Sequence, residues 1–435
     1  MLDKLSTAIV DFLSFFILKI YNTYHGGKIK MTKSILLKPQ KLLGSKGLIM
    51  FITLMGMFIP LSIDLYLPSM PTMTEYFSTS PGMINLTLID FYIFFAVGII
   101  LFGPLSDKYG RKPILILGLL LYLVGSLACA LSTSIYQLIL FRILQALGAG
   151  NAVAISTALV KDCFSGKLKS TILAVVQAMS VLAPMIAPIA GAAILKVAEW
   201  RETFLILAII GLFTLIIALM FQETLPKEDR YVGSLGGSII RLFVVGKNVG
   251  FTSFLFIAST LAAPYMAYIA MSSYIYTNYF SFDPQTYSYF FAINSAFAIL
   301  GPIIYIRSID KIAPRNFTWC CFGVSLASGL LIFFLGNTSP LIFLISFIPF
   351  TLTEGCIRPF STNILLDQQK EDIGSASSLI NAVQTILGSI GMALGSLAWN
   401  NIIHGLGIII ISSTLIAILV WIFLLHSSIK IKGLF

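Results

Sequence analysis

The sequence predicts an all-α polytopic membrane protein, with twelve transmembrane helices arranged as two six-helix bundles. Three observations carry that prediction. Of 435 residues 57% are hydrophobic and 11% charged, with a mean hydropathy of +0.94, which is more apolar sequence than a water-soluble core can bury. Windows of about 20 apolar residues, enough to cross roughly 30 Å of hydrocarbon, recur along the chain. The longest polar interruption, Gln222 to Gly250, stands between six such windows and six more.

In order, the windows fall near 47–68, 84–106, 113–131, 136–160, 170–195 and 203–221, then 251–277, 286–306, 317–335, 340–366, 375–398 and 405–426. The expected organisation is therefore an N-terminal segment 1–45, a bundle 46–221, a linker 222–250 with its run GSLGG, a second bundle 251–426 and a tail 427–435. Within the first segment Ile9, Phe12, Leu13, Phe16 and Ile20 recur at helical spacing, with Asp11 and Lys19 between them. That pattern suits a helix lying in the membrane interface; translation beginning at Met31 is the competing reading.

Charge sets orientation. Lys and Arg accumulate on the cytoplasmic side of a membrane protein, and 24 of the 28 basic residues fall on one side if both termini are cytoplasmic. Lys196 and Arg201 lie opposite, and Arg142 and Arg358 lie inside spans. The net charge of +10 is then a topology signal, and no nucleic-acid partner is expected. A short-looped chain of this kind suits a bacterial inner membrane. Cys129, Cys163, Cys320, Cys321 and Cys356 lack CxxC spacing, and His25, His404 and His426 have no partners at ligand spacing, so no metal and no disulfide is expected. No phosphate-cradling glycine loop and no nucleophile–base pair is present, which argues against an ATPase or another enzyme and leaves an ion gradient as the energy source.

An ionised group at mid-bilayer costs about 2.5–3.5 kcal/mol on insertion scales, so each one needs a partner, a wet cavity or a function. Asp64, Asp90, Arg142, Glu354 and Arg358 qualify. Counting helix rise from Lys46, Asp107 and Lys161 puts Asp64, Asp90 and Arg142 at one level, roughly 25–29 Å above the cytoplasmic boundary. Three groups on three helices at one depth can meet. They can form a structural ion pair, but two carboxylates facing one arginine leave a proton to be shared, which favours proton-coupled chemistry. Glu354 and Arg358, four apart, share a helix face and can bridge each other. Pro184, Pro188 and Gly191 mark a kinked, closely packing fifth span. Tyr265 and Tyr268 are the deeper aromatics of the seventh span, suited to stacking on an apolar or cationic ligand, and Asn294 follows in the eighth.

Between the second and third spans stands GPLSDKYGRKP, Gly103 to Pro113. It resembles the signature loop of the major facilitator superfamily, with a worn copy at Gly301, Pro302, Asp310, Lys311 and Arg315, 198 residues beyond Gly103. LILFRILQALGAG resembles that superfamily's fourth-helix motif at Arg142, Gln145, Gly148 and Gly150. APMIAPIAGA resembles its antiporter motif, with Ala183 and Ala187 in place of glycine. More narrowly, PLSIDLYLPSMP and GSASSL look like the Bcr/CflA group of drug:proton antiporters. Asp90, Glu354 and Arg358 match no motif of that group.

The resemblance implies two bundles around a central cavity that opens alternately to either side. It implies no cofactor beyond a proton gradient, small-molecule substrate and protons as partners within the lipid bilayer, and a monomer. Asp64 is the expected proton carrier, with Arg142 as the neighbouring cation that tunes it and Asp90 as a second proton or cation site. Gly103, Asp107, Gly110, Arg111 and Lys112 are the expected conformational latch, with charged contacts of Asp107 and Arg111 at the turn between the second and third spans and with the neighbouring half, stabilising the outward-facing closure of the cytoplasmic side. Tyr66, Gln145, Tyr265, Tyr268, Asn294, Glu354 and Arg358 are the expected cavity set. The expected function is proton-coupled export of small amphipathic drugs or toxic compounds. Export of one dedicated metabolite, such as a siderophore or peptide, is the alternative, and a proton-coupled importer a weaker one.

Overall fold

The computed structural model describes residue 37, residues 40–231, 244–308, 311–368 and 373–427, and residues 429, 431, 433 and 434. The expected interfacial helix, the linker run GSLGG and Asp310 lie outside the described residues.

Among the described residues the chain is helical throughout. A broken first helix, α1, comprises Gly44–Gly56, Phe58–Asp64, the 3-10 turn Leu67–Ser69 and Met70–Tyr76. There follow α2 (Pro81–Tyr109), α3 (Arg111–Ala130), α4 (Ile135–Cys163), α5 (Gly166–Leu195) and α6 (Trp200–Met220). The second set is α7 (Val249–Tyr279, its last turn a π-helix from Ile275), α8 (Pro284–Ser308), α9 (Pro314–Leu335), α10 (Pro340–Asp367), α11 (Ile373–Gly395) and α12 (Ile402–His426). Ten described helices are long and apolar enough to cross a membrane, and the bent first helix is an eleventh.

The first helix departs from the expected single span 47–68. It runs on to Tyr76 and bends by 41° after Gly56. Proline explains each break, because it has no N–H for the carbonyl four residues earlier. Pro60 has no N–H to offer the carbonyl four residues earlier, and the chain tightens there, Met57 N–H bonding Leu54 O at 3.0 Å. Pro68 leaves the carbonyl of Asp64 without one, and the helix stops at Asp64 before resuming at Met70.

Pairing within the halves is repeated. In the first half α4 packs against α2 and α3, and α3 against α6; in the second, α10 packs against α8 and α9, and α9 against α12. The halves meet through α2 with α11 and α5 with α8, each pair the image of the other under the repeat. Pro284 opens α8 203 residues after Pro81 opens α2. That spacing corrects the expected 198: Gly301 corresponds in packing to Gly98, not to Gly103. A Cβ on Gly98 would sit 3.2 Å from Gly150 Cα of α4, and one on Gly301 2.6 Å from Gly355 Cα of α10. Gly103 faces nothing within 4 Å, so it makes no close approach.

Candidate functional site

A cavity of about 390 Å³ lies between the halves. The first half contributes Asp64, Tyr92, Phe95, Ile99 and Pro184, and the second Tyr265, Met266, Phe291, Glu354, Arg358, Asn381, Gln384 and Thr385. On α2, α4, α7 and α11 the lining positions run from the middle of the helix towards the end that carries Gly103–Pro113. At the opposite end the halves touch. Thr74 of α1 and Tyr274 of α7 are joined by a 3.0 Å hydrogen bond between their hydroxyls, and Gly82 of α2 lies against the carbonyl of Ser396. Beside that seam the rings of Tyr268, Tyr276, Phe343 and Phe347 pack together, Tyr268 stacking on Phe347 at 4.1 Å.

Asp64 is 4% exposed and lines the cavity at the helix break. Among the described residues it makes no ion pair. The expected meeting of Asp64, Asp90 and Arg142 does not occur. Arg142, fully buried, donates Nη1 to Ser62 O at 3.0 Å and to Gln145 Oε1 at 2.7 Å, and Nε to Thr87 O at 3.2 Å. Its guanidinium lies 4.2 Å from the Phe91 ring centroid and 4.7 Å from that of Tyr66, where the ring quadrupoles attract a cation. The Ser62 carbonyl would accept from Tyr66 in a continuous helix, so Arg142 supplies the donor that the break removes. Asp90 is half-buried and does not line the cavity. It precedes Tyr92 by two residues, roughly 200° round the helix. Equal depth brought these groups to one level, but their azimuths keep them apart.

In the second half Glu354 and Arg358 both line the cavity and form no ion pair with each other, against the expected bridge. Tyr265 lines it too. Tyr66, Gln145, Tyr268 and Asn294 do not, all four being fully buried behind the wall. Tyr66 bonds Thr87 Oγ1 at 3.0 Å, Gln145 donates to Ser126 at 2.8 Å, and Asn294 accepts from Thr351 at 2.8 Å. In the fifth helix Pro184 lines the cavity, Pro188 is buried, and Gly191 packs so closely on the carbonyl of Leu65 that no Cβ fits. The cavity positions missed in the sequence fall at helical spacing, Tyr92, Phe95 and Ile99 three and four apart on α2, and Gln384 and Thr385 three and four residues after Asn381 on α11. Their helical period was visible; which face of the helix it marked was not.

The loop Gly103–Pro113 holds a charged network at the turn between α2 and α3 whose described partners lie in the first half and the opening residues of the linker; the contacts expected across to the other half belong to the outward-facing closure. Arg111 Nη1 donates to Asp107 at 2.5 Å and Ser106 at 2.7 Å, and its Nε to Asp162 of α4 at 2.9 Å. Glu223, just past α6, accepts from the backbone N–H of Arg111 at 3.0 Å and of Lys112 at 3.1 Å, capping the start of α3. Lys112 Nζ donates to Leu219 O at 2.8 Å. Gly110, at φ 102°, leaves room for Glu223 and Arg230, which a Cβ would strike. Asp162, Glu223 and Arg230 were not foreseen, although all three lie on the same side of the membrane pattern as the loop.

The arrangement is that of a transporter: paired bundles, a central cavity reached from one end and buried charge along its wall. The chain is 32% identical over 343 residues to the uncharacterized MFS-type transporter YdgK of Bacillus subtilis, covering 76% of this chain and 84% of that protein. It is 26% identical over 353 residues to the bicyclomycin resistance protein homolog of Haemophilus influenzae, covering 80% and 88%. A solved bacterial homolog of the human lysosomal transporter Spinster, inward-facing and occupied, superposes with a TM-score of 0.70 at 14% identity, over 92% of this chain and 99% of that one. The profile of the Major Facilitator Superfamily matches residues 48–392 and again 254–431, and with these helices and this cavity the chain belongs to that superfamily of membrane transporters.

Proposed function

We propose that the protein exports small amphipathic compounds from the cytoplasm in exchange for protons, by alternating exposure of the central cavity. One observation carries the reading: Asp64, 4% exposed and without an ion-pair partner among the described residues, borders the cavity at a helix break. A buried carboxylate without a counterion is costly unless it takes up a proton or a cation. Its place on the cavity wall makes that exchange the coupling step. With the cavity facing out, a proton binds Asp64 and substrate leaves; with it facing in, the proton departs to the cytoplasm and substrate binds.

The excess of Lys and Arg at the Gly103–Pro113 end supports a reading in which that end is cytoplasmic, with both termini on that side of a bacterial inner membrane. The structure is then an inward-facing state, sealed outside by the Thr74–Tyr274 contact. Asp107, its side chain 50% exposed, is available to the second half when the cytoplasmic side closes, so the loop acts as a latch in the outward-facing state. Arg142 holds the helix break that presents Asp64 and is not itself a proton site. The bicyclomycin resistance homolog supports drug-like cargo, and the mixed apolar and charged wall supports an amphipathic one. Protein in proteoliposomes under an imposed pH gradient tests this: wild type should drive uphill efflux, and Asp64→Asn should retain exchange but lose the gradient's drive. Full gradient-driven efflux by Asp64→Asn would remove Asp64 as the carrier.

A further inference from the structure

The two walls of the cavity differ in chemistry. The first-half wall is largely apolar, with Tyr92, Phe95, Ile99 and Val153, and Asp64 at its inner limit. The second-half wall carries Glu354 and Arg358 on α10 beside Asn381 and Gln384 on α11. A Glu followed four residues later by Arg on one helix is well placed to close on itself. In this cavity the pair does not close, and Arg358 is exposed although it sits inside a membrane helix. Among the described residues no hydrogen bond is made by the side chain of either.

The backbone beneath them is fixed. A Cβ on Gly355 would lie 3.1 Å from Gly301 Cα, and Cys356 Sγ bonds Gly301 O at 3.1 Å, so α10 is locked against α8 in the rotation that turns both charges inwards. Asp64 and Tyr92 of the first half and Glu354 and Arg358 of the second line the same cavity, which puts all four around one space. A structural ion pair would satisfy itself; two separated, inward-turned opposite charges present a ready-made counterpart for a ligand that carries both signs.

We infer that Glu354 and Arg358 form a subsite for a zwitterionic substrate, Arg358 receiving its carboxylate or other anionic group and Glu354, with Asp64 across the cavity, its ammonium. The aromatic body of such a molecule lies on Tyr92 and Phe95. This inference rests on the export reading above and narrows it: cargo is selected for a cation and an anion on one amphipathic frame. A planar guanidinium takes a carboxylate bidentately, which suits Arg358 better than a lysine for that role.

The test is equilibrium binding to the detergent-purified full chain, with no proton gradient, so that coupling and recognition are read separately. The probes are four forms of one rigid biphenyl amino acid: the zwitterion, its methyl ester (cation), its N-acetyl derivative (anion) and the doubly blocked neutral compound. The zwitterion should bind at least about tenfold more tightly than either singly blocked form, as expected for losing one charge-assisted bond. Arg358→Gln should erase the difference between acid and ester while keeping the preference for a free amine, and Glu354→Gln should do the reverse. Arg358→Lys should restore part of the acid preference, which separates recognition from misfolding. Four equal affinities, absence of binding by all four, or an ester that binds wild type and Arg358→Gln alike while outcompeting the zwitterion would each overturn the subsite. Charge-selective binding without gradient-driven efflux in proteoliposomes would leave the subsite standing and remove proton coupling instead.

Discussion

A guanidinium held away from water needs acceptors for its donors, and Arg142 finds two main-chain carbonyls and one amide oxygen while three aromatic rings, those of Tyr66, Phe91 and Phe204, face its charge. Asp64, two residues from Ser62 in the same broken helix, meets neither a hydrogen-bond donor nor a cation at ion-pair distance among the described residues. On the proposed mechanism the two residues divide their work: Arg142 fixes geometry and Asp64 is left to exchange the proton. Replacing Arg142 by Met orphans the carbonyls of Ser62 and Thr87, each at about 1–3 kcal/mol for a buried unsatisfied group. Arg142→Met is expected to lower the unfolding temperature in detergent markedly and to abolish transport with it. An unchanged unfolding temperature would show that the break holds without Arg142. Residue type and membrane depth made both positions recognisable in the sequence. Their pairing was misread because depth carries no information about which way a side chain turns round its helix.

At the scale of the element, helix starts and stops followed local rules closely. Pro81, Pro284, Pro314 and Pro340 stand in the first turns of α2, α8, α9 and α10, where the missing N–H costs nothing. The exception is α1, where prolines inside an apolar window broke the helix directly after Gly56 and again between Asp64 and Met70. Glu223 shows how far a cap can come in sequence: 111 residues separate it from the Lys112 N–H it receives. Removing that carboxylate by Glu223→Ala frees two N–H groups at the start of α3 and costs about 1–2 kcal/mol, with Glu223→Gln falling between. Thermal unfolding in detergent measures it, and equal stability of Glu223→Ala and wild type would mean that water replaces the cap at no cost.

Over the whole molecule, the two halves repeat their internal packing, and α2–α11 and α5–α8 are equivalent contacts where they meet, which suits the proposed cycle in which opening one end closes the other. The outer seam is the accessible handle on that motion. In a background without the native cysteines, a short bifunctional methanethiosulfonate should link Thr74→Cys to Tyr274→Cys, hold the cavity open to the cytoplasmic end alone, and stop transport until a reductant is added. Transport that persists with the link intact would contradict the seam as a gate. The all-helical membrane fold, the order of its apolar windows and the superfamily were legible in the order of residues, because hydrocarbon imposes a fixed length and excludes charge whatever the tertiary packing. Three-dimensional packing alone determined that Asp64 stands unpaired, that Arg142 serves a helix break, that Tyr66, Gln145, Tyr268 and Asn294 lie behind the cavity wall, and that Glu354 and Arg358 face the cavity instead of each other. Those facts depend on the rotation of each helix about its own axis, which is set by close contacts such as Gly355 on Gly301 and Gly191 on Leu65, between residues far apart in the chain.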